Sequence, residues 1–317
     1  MNEIVYSIII PHHNTPQLLQ RLLDSIPQRE DIEIIIVDDN SSPDIVDFNQ
    51  FPGSHRADVR ICLDKKGGYG GYARNIGISM AKGKWLLFAD SDDYFTYYLS
   101  TMLDECKQLD EEVDIVFFKA CSLDSVDYHN THRADHLNRW IDEYISNHAH
   151  SELMLRYKFG EPWAKLVRKE MVDRHHICFE ERSIHNDTAF SYLVGYYARK
   201  IKVSQKSIYC ITDREGSVSK QLTESKKIER IENFGKSDLF FQNHHIPVKE
   251  SWHFEQLFRC LCENKQTYQQ GVAVLESLGY SPSSIQIGLV KACISIVRSK
   301  IIYMIKLIVK RFVNYLR

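Results

Sequence analysis

The C-terminal stretch from Ile285 to Arg317 is apolar, yet it has no run of about 18 uncharged apolar residues, so it is not expected to cross a bilayer. Acidic residues are missing there too. Residues 281–317 carry seven Lys or Arg and no Asp or Glu, so a formal net charge of −2 leaves a sum of −9 on the other 280 residues. A main body of that sign repels phosphate backbones, which argues against nucleic acid as a partner. The eight cysteines are scattered with no zinc-type pairing, and there is no secretory leader, so reduced thiols in a cytosolic compartment are expected. No Gly-Lys-Ser/Thr follows the cluster Gly67-Gly68-Tyr69-Gly70-Gly71, which excludes a standard P-loop, and its spacing is not the dinucleotide fingerprint. Internal repeats and low-complexity tracts are also absent. What remains is ordinary globular composition, 44% apolar, enough for a real core in one large domain or a domain with appendages.

Apolar runs place the elements. Val5 to Ile10, stopped by Pro11, reads as a strand, and Thr15-Pro16 opens a helix to Ile26 whose leucines share one face. Ile32 to Val37 is a second strand, ending in Asp38-Asp39-Asn40-Ser41. A weaker strand at Val59 to Leu63, the glycines, a helix from Tyr72 to Ala81 and a strand at Trp85 to Ala89 follow. This β-α-β alternation predicts a largely parallel sheet covered on both faces. Further on, Val113 to Phe118 predicts a buried strand, Glu161 to Cys178 a helix, Asp187 to Tyr197 another, and Lys202 to Thr212 a late strand.

Chemistry concentrates where strands end. Asp90-Ser91-Asp92-Asp93 closes the Trp85 strand, and carboxylates one residue apart at a strand end suit a hard Mg²⁺ or Mn²⁺ ion whose shell is completed by substrate phosphates. A solvated acidic turn fits those four residues equally well. Pro11-His12-His13-Asn14 and Asp38-Asp39 stand at neighbouring strand ends, where His13 could stack on a base and Asp39 accept a base N–H, or both could simply serve turns. A zinc site on the two histidines is disfavoured, because adjacent strand residues point to opposite faces. Arg74, just after the glycines, offers a fork of donors for phosphate. Asn186-Asp187 opens a helix, where the carboxylate could act as a base or merely cap.

In this order and spacing the segments Ser7 to Asn14, Ile35 to Ser41, Ala73 to Gly77 and Leu87 to Asp93 resemble the inverting family 2 glycosyltransferases of the GT-A fold, over about residues 4–215. The resemblance implies an α/β architecture with a mostly parallel central sheet and flanking helices, followed by a C-terminal helical extension. Domains are expected at 1–220 (transferase), 221–283 (helical accessory region) and 284–317 (basic amphipathic helix). It implies that Pro11, His13, Asp39 and Arg74 line a uridine pocket, that Asp90 and Ser91 contact the donor, that Asp92 of the DxD motif holds Mn²⁺ or Mg²⁺, and that Asp187 is the base. Asp213 to Ser219 resembles the loop after the last sheet strand, where Arg214 or Lys220 could touch the diphosphate, although most of this segment reads as a surface hairpin. Three departures stand out: His13 where the family usually has tyrosine, Lys66 where it often has asparagine, and Asn186 where it has an acid. The implied activity is transfer from a UDP-sugar to a saccharide or lipid-linked saccharide in bacterial capsule, lipopolysaccharide or O-antigen synthesis. A catalytically idle nucleotide-sugar scaffold and a sugar nucleotidyltransferase are the alternatives. The latter lacks its glycine-rich triphosphate loop after Ile10.

On a helix, Ile294, Val297, Ile301, Met304, Ile305, Ile308, Phe312 and Tyr315 gather on one side, with Lys291, Arg298, Lys306, Lys310 and Arg317 roughly opposite. A terminal helix docked on the domain with a cationic outer face is the alternative, but a merely solvated helix mixes charge signs, so a helix lying on an anionic membrane is expected, and with it a peripheral position on the cytoplasmic face.

Overall fold

The computed structural model describes residues 3–214 and 223–315, with side chains described at all of these except 148–150 and 300–315. The chain divides into two compact units, Met1–Lys220 and Gln221–Arg317.

Unit 1 is built on one eight-stranded sheet ordered β3-β2-β1-β4-β7-β6-β8-β5. The strands are β1 (Tyr6–His12), β2 (Ile32–Asp39), β3 (Val59–Asp64), β4 (Trp85–Phe88), β5 (Tyr94–Phe95), β6 (Val113–Asp124), β7 (Lys165–Arg168) and β8 (Lys200–Asp213). Strands β3, β2, β1 and β4 run parallel, with Ile8 opposite both Ile34 and Leu87. Because Ile8, Ile9, Ile10, Ile34, Ile35, Ile36, Leu86 and Leu87 are fully buried, side chains pointing to either face must be covered, which is why these runs are continuously apolar. In-register parallel pairing brings the carboxyl ends of β1, β2 and β4 to one edge, so that His12, Asp39 and Asp90 meet there.

The helix expected from Glu161 to Cys178 does not form as one. Lys165–Arg168 is instead a strand, antiparallel to both β4 and β6, and only the six residues of α6 (Lys169–Arg174) are helical. Ala164 is buried at φ 53°, in the left-handed region, and turns the chain out of helical conformation just before it. Leu166 and Val167, both fully buried, then fill the gap between β4 and β6. The sheet is therefore parallel in its first half and mixed in its second. Since β7 runs against β4, it begins at the edge where β4 ends, and Lys165 enters there.

Besides α6, the helices of unit 1 are α1 (Pro16–Asp24), α2 (Tyr69–Met80), α3 (Tyr98–Cys106), α4 (Asp135–Ser146), α5 (His148–Lys158) and α7 (Thr188–Tyr197), of which α1, α2 and α7 bear on this edge. The glycine cluster explains how α2 reaches it. A Cβ on Gly71 would lie 2.0 Å from the Glu180 carbonyl oxygen, so only glycine lets α2 sit against the 179–186 segment that precedes α7. Gly71→Ala is expected to cost about 1–3 kcal/mol, because backbone and not a flexible side chain must move. A thermal melt should show a lowered Tm, and an unchanged Tm would mean that this approach is not tight.

Unit 2 packs α8 (Glu224–Asn243), α9 (Trp252–Glu263), α10 (Lys265–Ser277) and the first turns of α11 (Pro282–Tyr315) around Ile231, Leu257, Cys260, Leu275, Tyr280 and Ile285. Among the described residues no helix is long and apolar enough to cross a membrane.

Candidate active site

Two loops leave the ends of β1 and β2, and asparagine lets both turn sharply: Asn14 (φ 56°) and Asn40 (φ 58°) occupy the left-handed region that this side chain tolerates. The loops are stitched together, Asn14 N donating to Ser41 Oγ and Ser42 N to Asn14 Oδ1, each at 2.8 Å. Beneath them His12 is buried. Its Nδ1–H donates to Asp38 Oδ2 (2.8 Å) and its Nε2 accepts from Thr15 N (3.2 Å), so one neutral tautomer satisfies both ring nitrogens. Burial opposes the charge on Asp38, but hydrogen bonds from His12 and Ser41 outweigh it and hold the carboxylate below its usual pKa. His13 faces outward, its Nδ1–H on the Asp39 carbonyl (2.8 Å) and its Nε2 accepting from Asn14 Nδ2. The two histidines thus diverge, as adjacent strand residues should. Asp39 Oδ1 accepts from Gly68 N (2.7 Å), which ties the glycine turn to the end of β2.

After β4 the chain makes an acidic turn braced from β8. Tyr209 Oη accepts from Asp90 N (2.8 Å) and donates to Asp93 Oδ2 (2.9 Å), while Thr212 N donates to Asp93 Oδ1 (2.7 Å). Burial, reinforced by the charges of Asp90 and Asp92, pushes the Asp93 pKa well up. Trp163 stacks on Tyr209 at 5.4 Å and 10°. Asp93 is thereby a strut, and Asp90 and Asp92 are left partly exposed, at 33% and 28% of the side chain. Pro11, His12, His13, Thr15, Asp39, Gly70, Asp90, Ser91, Asp92 and Arg214 line one cavity, with Ser91 Oγ 3.0 Å from Thr15 Oγ1.

Arg74 links this cavity to α7. Its side chain is 8% exposed and lies over the Phe179 ring, and it donates to Asp90 Oδ1 (2.5 Å) and to Asn186 Oδ1 (3.0 Å). Asp187, next in the chain, stands at the N-cap position of α7 but makes no capping hydrogen bond there, so capping is not what its carboxylate does. Burial raises its pKa to about 6 against the opposing pull of Arg74, with the charges of Glu161 and Asp90 adding to the rise. Arg214 Nε lies 2.9 Å from Asp92 Oδ2. Lys220 falls outside the described residues.

All eight residues singled out from the sequence, Pro11, His13, Asp39, Arg74, Asp90, Ser91, Asp92 and Asp187, therefore stand around one edge of the sheet, Asp187 being joined to the rest through Arg74 and Asn186. The supporting residues gave less signal. Tyr209 and Thr212 come from a strand more than 100 residues away, and Glu161 and Lys165 lie where a helix was expected. Asp93 was visible only as the last acid of its run.

The profile of glycosyl transferase family 2 matches residues 7–175, more than half of the chain. The chain belongs to this family. It is 25% identical over 252 residues to the uncharacterized glycosyltransferase EpsJ of Bacillus subtilis, a match covering 75% of the chain and 70% of EpsJ. It is 26% identical to glycosyltransferase GlyG of Streptococcus pneumoniae, covering 69% and 73%. The match to TarS of Staphylococcus aureus, a poly(ribitol-phosphate) beta-N-acetylglucosaminyltransferase, is 24% identical and spans only 36% of that longer protein. Among solved structures, TarS 1-349 in complex with UDP-GlcNAc superposes with a TM-score of 0.57 at 19% identity, over 91% of this chain and 79% of that one. The mannosyltransferase PcManGT of Pyrobaculum calidifontis, solved with GDP-Man and Mn²⁺, gives 0.52 at 15% identity, over 92% and 80%. The fold is GT-A, and the protein is a glycosyltransferase of family 2 type.

Proposed function

We propose that the protein is an inverting, metal-dependent transferase that moves a sugar from a UDP-sugar to a saccharide or lipid-linked saccharide acceptor. The observation that carries this reading is the Arg74 bridge, which sets a carboxylate of raised pKa beside the strand-end acids that would hold a donor. Uracil would lie against Pro11, His13 and Asp39, with Asp39 Oδ2 available to a base N–H, and the ribose and sugar would meet Asp90 and Ser91. Asp92 presents a partly exposed carboxylate to the cavity, an oxygen ligand of the kind that suits Mn²⁺ or Mg²⁺. Such an ion, when bound, neutralises charge growing on the leaving diphosphate. Arg214, already at Asp92, is placed to donate to the same diphosphate.

Asp187 takes the proton from the acceptor hydroxyl as its oxygen forms a bond to the anomeric carbon. The bond from that carbon to the diphosphate oxygen breaks, and the configuration inverts in one displacement. The partial covering of relatives such as TarS leaves their acceptors as guides only, and a polymer or lipid-linked glycan of a bacterial surface is the acceptor class proposed. Release of UDP from a panel of UDP-sugars in Mn²⁺, with and without EDTA, tests the reading. Metal-dependent release from one donor is expected, and silence across the panel with no binding by calorimetry would refute it.

The membrane part of the proposal rests on α11. Ile287, Val290, Ile294 and Val297 form one exposed stripe at helical spacing, each about half exposed or more. Residues 300–317 add five Lys or Arg and no acid, and their side chains lie outside the described ones. A truncation has to spare Ile285 and Ala292, which are buried in unit 2. Ending the chain after Ser299 is expected to cut sedimentation with anionic vesicles several-fold at unchanged Tm. Equal sedimentation of both forms would rule out this membrane contact.

A further inference from the structure

Helix α1 carries a cation that the proposed chemistry has not yet used. Leu19, Leu22 and Leu23 are fully buried and seat the helix in the core, and its other contacts run along the acidic turn after β4. Thr15 at its N-cap touches Ser91, Oγ1 to Oγ at 3.0 Å, and Ser25 at its C-cap accepts from Phe95 N (2.9 Å). Between these two points Arg21 Nη2 donates to the main-chain carbonyl of Asp92 (2.5 Å) and to Thr212 Oγ1 (3.2 Å). Thr212 Oγ1 donates to the same carbonyl, and Thr212 N to Asp93 Oδ1 (2.7 Å). The Arg21 guanidinium also lies 5.2 Å from the centroid of the Tyr94 ring. Asp92 is thus held by its carbonyl from two sides, α1 and the end of β8, while its carboxylate stays partly exposed in the cavity.

We propose that Arg21 is a positioning residue for the metal ligand: from α1 it fixes the main chain at Asp92, so that the carboxylate is already placed for the ion that accompanies a donor diphosphate. This inference rests on the reading of Asp92 as that ligand. Stability alone does not account for an arginine here. Its Nε is buried without a hydrogen-bond partner, a cost to folding that an apolar side chain on α1 would avoid. Metal binding does account for it, because a small divalent ion requires close to ideal geometry and a ligand whose backbone can shift binds it less well. Groups that orient a metal ligand without touching the ion typically contribute about 10- to 100-fold in metal affinity. The carbonyl has two donors, so losing Arg21 leaves it hydrogen-bonded to Thr212, and the turn should keep its shape while losing its precision. A guanidinium near a cation site also repels the ion, which is an effect of opposite sign. Orientation should win, since Arg21 faces the Asp92 carbonyl and does not line the cavity.

The test uses the full chain, UDP as the probe and four variants. Arg21→Met removes donor and charge together, and Arg21→Lys keeps the charge with one compact donor in place of the fork. Thr212→Val removes the second donor to the carbonyl while sparing the main-chain bond to Asp93, and Asp92→Ala removes the ligand itself. Calorimetry gives the UDP Kd in Mn²⁺ and in EDTA, electron paramagnetic resonance follows Mn²⁺ uptake with UDP present, and Tm is recorded for each protein. Arg21→Met should weaken UDP binding in Mn²⁺ about tenfold, with Mn²⁺ uptake reduced to match, and leave the Kd in EDTA within about twofold. Thr212→Val should show the same selective loss and Arg21→Lys a smaller one, each in a protein that still melts cooperatively. Kd values in Mn²⁺ equal to that of the unaltered protein in both Arg21→Met and Thr212→Val would overturn the proposal. So would equal weakening with and without metal, or tighter Mn²⁺ binding in Arg21→Met, which would leave Arg21 only its charge. If Arg21→Met does not fold, Arg21→Lys and Thr212→Val decide on the same criteria. Asp92→Ala separates the two readings: a metal-dependent loss there and in no other variant removes only the role of Arg21, whereas none there removes the metal reading and this inference with it.

Discussion

Asp187→Asn should bind UDP and Mn²⁺ as the unaltered protein does, within about twofold, and lose about 100- to 10,000-fold in turnover, the range a general base contributes. The asymmetry follows from where Asp187 sits. It lines neither the Asp39 end nor the Asp92 end of the cavity, and it reaches them only through Asn186 and Arg74. Asparagine is close in size and makes the substitution gentle, while the amide cannot take a proton at working pH. The pH dependence adds a second signature. Because the base acts as carboxylate and burial raises its pKa to about 6, turnover should rise with pH through about 6 and level off above it. In the variant the residual rate should lose that limb. Calorimetry with UDP and single-turnover rates between pH 5 and 9 measure both. A large loss of nucleotide affinity in Asp187→Asn would move the residue from base to binding.

Asp92→Ala should produce the opposite split. Donor affinity in Mn²⁺ should fall by about a hundredfold or more, since an ion bridging protein and diphosphate contributes several kcal/mol, and turnover should fall with it. In EDTA the two proteins should bind UDP alike, because without the ion Asp92 offers the diphosphate only a negative charge. Arg214 sharpens the expectation. It is now 2.9 Å from Asp92 Oδ2, and the alanine variant frees it, so binding of UDP without metal should not weaken. Calorimetric titrations with and without metal decide the matter. Equal loss of affinity under both conditions would assign Asp92 to the nucleotide rather than to the ion.

The strand-end chemistry was legible because parallel pairing obeys a simple rule: continuously apolar runs are buried strands, and in-register parallel strands end at one edge. That rule alone brings the residues after Ile10, Val37 and Ala89 together. Arg74 was legible as a donor fork next to the glycines, although the main service of Gly71 is to let α2 approach the Glu180 carbonyl. The Lys165 strand was not legible. Four residues are too few for a period, Pro162 resembles a helix start, and the left-handed Ala164 has no signature in a residue type that rarely adopts it. Tyr209 and Thr212 were invisible for another reason. Their hydrogen bonds to Asp90 and Asp93 depend on which strand end β8 reaches, a tertiary fact with no local pattern.

The most direct test of the account is a crystal structure with UDP and Mn²⁺, the ion located by its anomalous signal. Mn²⁺ is expected on Asp92 and the diphosphate, uracil against Asp39, Arg214 moved from Asp92 to phosphate, and an open space beside Asp187 where an acceptor hydroxyl can approach. Nucleotide bound away from the ends of β1, β2 and β4, or Mn²⁺ held instead by the exposed group Asp124, Asp127 and His129, would contradict it.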